Sequence, residues 1–114
     1  MAQRSRRLNL KLSDYVNPRL AEIWRWNADK YGEAHATTFV EFLKAETLAL
    51  TTTYQKGRQI SHYPSWRYLT IKKRAKGHGY IVVYEIQPTD VFVLYYFHTA
   101  QNWEAKLRLM LRRQ

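Results

Sequence analysis

The chain lacks cysteine altogether and has little glycine and proline, with four and three respectively in 114 residues. The absence of cysteine excludes disulfides, zinc ribbons and thiol chemistry. Packing alone must therefore hold the fold, which suits a reducing cytoplasm. No run approaches the roughly 20 apolar residues that cross a membrane, and Arg6 and Arg7 are not followed by the apolar segment that an export signal needs. We expect a cytoplasmic chain without a membrane partner.

Acidic residues are absent from 47–84, where seven Lys and Arg residues lie. Over the whole chain, 19 Lys and Arg face nine Asp and Glu, which gives a formal charge of +10. Residues 14–50 differ, because they hold six acids and four bases, so the rest of the chain carries +12. This asymmetry predicts a nearly neutral region beside a positive surface that attracts nucleic acid or an acidic protein. A basic surface kept for solubility is the alternative.

Motifs for small ligands are also missing. The four glycines match neither of the usual nucleotide-binding patterns. The four histidines are not spaced as a metal site, which needs three or four convergent ligands. We therefore expect neither a cofactor nor a metal. The chain does have 46% apolar and 15% aromatic residues, which is enough for the core of one domain and too much for a disordered chain.

The first half of the chain carries one strand pattern and two helical patterns. Three leucines alternate with polar residues over 8–12, which predicts a half-buried strand. Apolar residues at helical spacing predict an amphipathic helix over 15–30, with Gly32 as its stop. A second helix is predicted over 33–50. The short link between the two helices predicts an antiparallel helical hairpin.

The second half of the chain predicts three strands and a helix. Thr, Gly, Ser and Pro make residues 51–65 irregular. Aromatic and β-branched residues predict strands over 66–73, 79–87 and 91–98. The strands over 79–87 and 91–98 are apolar on both faces, so the sheet must be covered at least in part on both sides there. Residues 101–113 predict a basic amphipathic helix. The fold class is therefore α+β, a single domain over 1–114 in the order β-α-α-β-β-β-α. Its four-stranded, antiparallel-type sheet carries the helical hairpin on one face, and a C-terminal helix ends the chain.

Four short segments, in this order along the chain, form a family pattern. They are Ala21-Glu22-Ile23-Trp24 to Tyr31; Gly57-Arg58 followed by Pro64, Arg67 and Leu69; Gly79-Tyr80-Ile81-Val82-Val83-Tyr84; and Val91 to Leu94 followed by His98. Together they resemble the RelE/ParE toxin superfamily of bacterial toxin–antitoxin systems, over about residues 7–104. The long helical hairpin and the Gly-Arg pair are more similar to the ParE branch than to the RelE branch.

The ParE resemblance implies an inhibitory binding protein rather than an enzyme. Toxins of this branch inhibit DNA gyrase and are neutralised by a cognate, ParD-like antitoxin, here one with an acidic segment. The acid-free stretch and the end of the C-terminal helix supply the candidates for contact with the target. These target-binding candidates are Arg58, Lys72, Lys73, Arg74, Arg112 and Arg113.

A RelE-like, metal-independent endoribonuclease that cuts mRNA on the ribosome is the alternative. Such chemistry needs a base, an acid and cations for the charged phosphorane, and the candidates are His98, Lys72, Lys73 and Arg74. Two departures weaken this alternative. Ile81 stands where related nucleases usually place Arg, and no cation follows His98 until Lys106. A toxin homologue that has lost its activity but still binds its antitoxin is a third hypothesis.

Aromatic residues supply the candidates for antitoxin contact. Trp26 falls off the apolar stripe of the first helix, so we expect it to be exposed. One face of the third predicted strand must pack on the helical hairpin, and the other needs the C-terminal helix or a partner as its cover. The candidates for antitoxin contact are Trp26, Tyr80, Tyr84 and Trp103. For Trp103 we favour a role as the anchor of the C-terminal helix on the sheet.

Overall fold

The computed structural model describes residues 6–73 and 79–112. The elements in chain order are β1 (Asn9–Leu12), α1 (Val16–Tyr31), α2 (Glu33–Thr53), β2 (Arg58–Ile60), β3 (Tyr63–Ile71), β4 (Tyr80–Ile86), β5 (Asp90–His98) and α3 (Trp103–Arg112). The strands form one sheet in the order β1-β5-β4-β3-β2. The predicted α+β class, the helical hairpin and the C-terminal helix are confirmed.

The sheet has five strands, so the expectation of four is wrong. The missed strand is β2, which lies in a segment predicted to be irregular and pairs antiparallel with β3. At three residues, β2 is too short to show alternation in the sequence. The segment predicted to be irregular also contains the end of α2 and the start of β3. The β1–β5 pair is parallel, whereas the other pairs are antiparallel.

The helical hairpin buries one stripe of α1 against the rest of the domain. The buried residues of α1 are Val16, Leu20, Ile23 and Asn27, at spacings of three and four, as an amphipathic helix requires. The polar member of this stripe is satisfied, because the Asn27 side chain donates to the Ile23 carbonyl at 2.8 Å. Gly32 links the helices at a φ of +93°, which an L side chain rarely adopts. The predicted stop at Gly32 therefore has a backbone cause.

Each face of the sheet has its own apolar cluster. On the hairpin face, Tyr80, Val82 and Tyr84 of β4 pack with residues of α1, α2 and β5. On the opposite face, Ile81 and Val83 pack with Leu107 of α3, which is almost fully buried. The two-sided burial predicted for this strand is confirmed, and α3 is the cover of the second face.

A β-bulge in β5 changes which side chains face the helical hairpin. Val83 lies opposite Tyr95, but Tyr84 lies opposite Val93, so Leu94 is the extra residue. Ser13, just after β1, holds this bulge through its hydroxyl, which donates to the Leu94 carbonyl at 2.6 Å. One inserted residue reverses the alternation of the strand beyond it. The later part of β5 therefore returns Tyr96 to the hairpin cluster.

Candidate functional site

An open cleft of about 430 Å³ lies between α1, the start of β4 and the end of β5. It forms where β1 has ended, because β1 pairs only with residues 90–93 of β5. The β5 edge beyond that point has no neighbouring strand among the described residues. The cleft is lined by Arg19, Glu22, Ile23, Trp26, Tyr80, His98 and Gln101.

Arg19 occupies the β5 side of the cleft and is held by several contacts. Its Nε donates to the Tyr96 carbonyl at 2.9 Å, on the open edge of the strand. Its guanidinium carbon lies 5.1 Å from the centre of the Tyr95 ring and 6.0 Å from that of Tyr80. The Glu22 carboxylate is 3.6 Å from Nη1, and that side chain is 55% exposed. Arg19 is therefore fixed by the backbone, and its side chain is mostly buried, with 16% of it exposed.

Aromatic rings form a closed series around the same end of the molecule. Their centroids are 6.3 Å apart for Trp26–Tyr31, 4.8 Å for Tyr31–His35, 6.4 Å for His35–Phe39, 5.8 Å for Phe39–Tyr80, 5.3 Å for Tyr80–His98 and 6.3 Å for His98–Trp26. Trp26 is 47% exposed and Tyr31 is 59% exposed. The Lys30 ammonium lies 4.7 Å from the centre of the Trp26 ring. We call the six rings of this closed series, which exclude Lys30, the aromatic series: Trp26, Tyr31, His35, Phe39, Tyr80 and His98.

The predicted target-binding cations do not form one tight cluster. Arg58 lies on the edge strand β2, and Lys72 and Lys73 follow β3. Arg112 ends α3, which covers the face of the sheet opposite the helical hairpin. All four are exposed, and within residues 6–73 and 79–112 none of them forms a salt bridge. Arg74 and Arg113 lie outside the described residues. The described part of the set is therefore a spread of unneutralised positive charge.

The described nuclease candidates lie at the same end of the sheet, but their strands, β3 and β5, are separated by β4. Tyr80 lies opposite Ile71 on one side and opposite His98 on the other. The backbone of His98 is therefore about 10 Å from the end of β3, which is two strand spacings. The Nδ1 atom of His98 accepts from the Ala100 N–H at 3.1 Å. Lys72 directly follows β3, so His98 and the two lysines, Lys72 and Lys73, are separated by the width of β4.

The four aromatic residues predicted to contact the antitoxin have different surroundings. Trp26 is exposed, as expected, whereas Tyr80 is mostly buried and shows part of its ring in the cleft. Trp103 is half-buried, and its ring lies 4.7 Å from Tyr68 on β3 and 6.4 Å from Phe97 on β5. Because these two strands flank β4, Trp103 anchors the start of α3 across the centre of the sheet.

Tyr84 requires a correction, because it lies in the core with no exposed surface. Its hydroxyl accepts from the Gly57 N–H at 2.9 Å and donates to the Tyr54 carbonyl at 2.7 Å. Arg67 ties the same loop by donating to the Gly57 carbonyl at 2.7 Å and to that of Gln55 at 3.2 Å. The role of Tyr84 is therefore structural, and a partner docking on the folded surface would not reach its side chain.

This network explains the glycine of the Gly-Arg pair. A Cβ at Gly57 would collide with the Tyr84 hydroxyl and lie 2.9 Å from the Tyr68 carbonyl. Burial raises the pKa of the Tyr84 phenol, and this effect is opposed by the hydrogen bond from Gly57 and by the charge of Arg67. The loop before β2 is thus fixed by a tyrosine and an arginine that lie opposite each other on β4 and β3.

Three further tyrosines also have raised pKa values. Burial is the main cause for Tyr80, Tyr95 and Tyr96. The charge of Arg19 opposes it at the first two, and a hydrogen bond with Thr47 opposes it at the third. A phenol is protonated at neutral pH even at its ordinary pKa of about 10, and the raised values act in the same direction. These phenols are therefore poorly suited to act as general bases.

Sequence reasoning missed Arg19 and Lys30 as site residues, and it did not predict that Arg67 ties the loop at Gly57. The spacing of Trp26 and Lys30 on α1 was a usable signal, since residues four apart on a helix are neighbours and a lysine can lie over an aromatic ring. Arg19 carried no such signal, because its role depends on β5 ending its pairing with β1 at Val93. That pairing joins the first and last strands along the chain and is not visible in local sequence.

A family model described as the ParE toxin of the type II toxin–antitoxin system parDE matches residues 10–103. The chain therefore belongs to the ParE toxin family. A chain of a solved structure titled "Chromosomal ParDE TA system from P. aeruginosa" is similar at 17% identity, with a TM-score of 0.65. The alignment covers 78% of this chain and 92% of that one, and at this identity it supports the fold alone. The search of curated proteins finds no match.

None of the described helices is long and apolar enough to span a membrane. No group of three or more potential metal-ligating side chains occurs within 6–73 and 79–112.

Proposed function

We propose that this chain is the toxin of a type II toxin–antitoxin pair and that it inhibits DNA gyrase by binding. The observation that carries the proposal is the exposed, unneutralised positive charge of a ParE-family chain. Among the described residues, Arg58, Lys72, Lys73 and Arg112 are exposed and form no ion pair. Such charge steers a protein towards an anionic surface, and gyrase bound to DNA would present one. The site of action would be the cytoplasm.

A cognate antitoxin with an acidic segment would neutralise the toxin. The formal charge of +10 makes an acidic partner complementary to the same cations that would meet the target. Trp26 gives such a partner an exposed aromatic side chain at one end of the molecule. Competition for the basic surface would then explain how antitoxin binding blocks the target.

Binding is favoured over mRNA cleavage because of how the candidate catalysts are arranged. His98 and the two lysines after β3 are separated by β4. Ile81, which stands where related nucleases place an arginine, is almost fully buried among the residues packed under α3. The buried tyrosines keep their protons at neutral pH. Together these features favour binding over a site that combines the base, the acid and the cations of metal-free cleavage.

Expression in bacteria without antitoxin tests the proposal. The wild-type chain should arrest growth, leave plasmids under-supercoiled and leave mRNA intact. The double reversal Lys72→Glu with Lys73→Glu should weaken toxicity by about tenfold or more, because it inverts the local charge that steers association. A matched control is Lys11→Glu with Lys44→Glu, which makes the same change in net charge at exposed lysines elsewhere.

Three outcomes would count against the proposal. Full toxicity of the Lys72 and Lys73 double variant would remove the basic surface from the mechanism. Equal loss in the control pair would reduce the effect to net charge. Codon-positioned cuts in mRNA with normal plasmid supercoiling would favour the ribonuclease alternative.

A further inference from the structure

We propose that the cleft between α1 and the ends of β4 and β5 binds an unpaired nucleotide of single-stranded nucleic acid. The base would stack on Trp26, and the neighbouring phosphate would lie against Arg19. This inference does not depend on gyrase being the target, because it concerns the chemistry of the cleft itself.

Trp26 is the base-stacking candidate because its ring lines the cleft and is about half-exposed. The apolar cluster between the hairpin and the sheet includes Trp24 but not Trp26, and 47% of the Trp26 surface is exposed. Its ring borders Tyr31 and His98, so a planar ligand would meet further aromatic surface beside it. Bases stack on exposed aromatic side chains with little regard to sequence.

Arg19 is the phosphate-binding candidate because its position is fixed and its side chain lines the cleft. The bond from Nε to the Tyr96 carbonyl orients the guanidinium before any ligand arrives. Its carboxylate neighbour, Glu22, is 3.6 Å away and 55% exposed, whereas the Arg19 side chain itself is 16% exposed. A planar guanidinium can donate two parallel bonds to a phosphate. Arg19 and Trp26 line the same cleft.

Cations around the cleft favour a polyanion that continues past the site. Lys30 lies over the Trp26 ring, and Arg25 on the same helix is exposed. Lys72 and Lys73 emerge at the end of the sheet where His98 ends β5. A nucleic-acid strand would use both the cations and the exposed ring. A peptide of acidic residues alone would use only the cations.

A single strand fits the cleft better than a duplex does. Bases in a duplex are stacked on each other and must leave the stack before they can meet a protein ring. A strand of unpaired nucleotides can place a base on Trp26 without that penalty. DNA and RNA share the base and phosphate chemistry that the site would use, so the experiment must separate them.

The test is fluorescence anisotropy of labelled oligonucleotides with the purified full-length chain. The probes are single-stranded DNA, RNA of the same sequence, the corresponding DNA duplex and a polyglutamate peptide. We expect the single strands to bind more tightly than the duplex and the peptide. Trp26→Ala should weaken single-strand binding about 5- to 150-fold, the range for loss of one stacked base. Tyr15→Ala is the matched control, because Tyr15 is also 47% exposed and lies outside the cleft.

A second variant tests the phosphate contact. Arg19→Lys keeps the charge but removes the planar donor pair, so binding should weaken while thermal melting shows that the fold is retained. If this variant loses the fold, intrinsic fluorescence of the wild-type chain tests the stacking contact of the same site instead: oligonucleotide should quench the emission, and the quenching should be lost in Trp26→Ala.

Each remaining outcome is decisive. Preference for DNA or for RNA identifies the strand type and supports the site, as does equal binding of both. Equal affinity of strand and duplex, or equal effects of Trp26→Ala and Tyr15→Ala, would overturn it. Tight binding of polyglutamate alone would assign the cleft to an acidic protein. Trp26→Ala that loses oligonucleotide binding but still inhibits gyrase would separate this site from the proposed function.

Discussion

Replacing Tyr84 by phenylalanine removes one hydroxyl from the core while keeping the ring that fills it. The hydroxyl makes two hydrogen bonds, one from the Gly57 N–H and one to the Tyr54 carbonyl. Phenylalanine leaves both backbone groups without this partner, and Gly57 is buried. The loop that precedes β2 should therefore lose part of its attachment to the sheet.

The expected loss of stability follows from the burial of these groups. A buried donor left unsatisfied costs about 1–3 kcal/mol, and Gly57 N–H is such a donor. The Tyr54 carbonyl is only partly buried, so it should add less, and about 2–4 kcal/mol is expected in total. This is a large share of the roughly 5–15 kcal/mol that stabilises a typical domain. The melting temperature should fall by roughly 3–6 °C per kcal/mol.

Urea unfolding followed by circular dichroism measures this change. Tyr84→Phe should lower the midpoint while leaving the slope unchanged, which identifies a change in stability rather than in the surface exposed on unfolding. Tyr31→Phe is the matched control, since the same atom is removed from a side chain that is 59% exposed. The control should stay within about 0.5 kcal/mol of wild type.

A double-mutant cycle tests whether Tyr84 and Gly57 act through one contact. Gly57→Ala places a Cβ against the Tyr84 hydroxyl, so part of its cost should disappear when that hydroxyl is already gone. The combined loss should therefore be smaller than the sum of the two single losses. Additive losses, or a Tyr84→Phe variant as stable as Tyr31→Phe, would refute the assigned network.

Two other predictions concern the core and the tyrosines. Leu107→Ala should cost about 2–5 kcal/mol because the side chain is buried, and limited proteolysis should then cut α3 faster; unchanged proteolysis would show that Leu107 does not hold this helix on the sheet. Burial raises the pKa of four phenols in the folded chain, so the folded state holds these protons more tightly than the unfolded state. Their contribution is fully present below about pH 10, the unfolded value, and is lost as the pH rises through the folded values. Urea midpoints should therefore fall steeply at alkaline pH, and a flat profile there would contradict the assignment.

Strong periodicity made most elements predictable from sequence. The stripes of α1 and α2 and the apolar runs of β4 and β5 each lie close to their predicted positions. The end of α2 was not predicted, because threonine is a poor helix former. Thr51, Thr52 and Thr53 nevertheless stay helical, with hydroxyls that donate to carbonyls three or four residues earlier, a bond that threonine can make within a helix.

The candidate site was less predictable than the fold. The bulge at Leu94 falls in a run that is apolar on both faces, so no change in alternation marks it in the sequence. The sequence also did not separate the buried Tyr84 from the cleft-lining Tyr80. Both lie on one face of β4, and only the packing of the loop at Gly57 distinguishes them. Local patterns determine elements, whereas the site depends on contacts between distant segments.

Supercoiling of relaxed plasmid by purified DNA gyrase tests the central proposal most directly. With the wild-type chain present, we expect relaxed plasmid to persist in a concentration-dependent way. The Lys72→Glu, Lys73→Glu variant should need a higher concentration for the same inhibition, while the Lys11→Glu, Lys44→Glu control should act like the wild type. Complete supercoiling at a saturating concentration of the folded wild-type chain would contradict gyrase inhibition by binding.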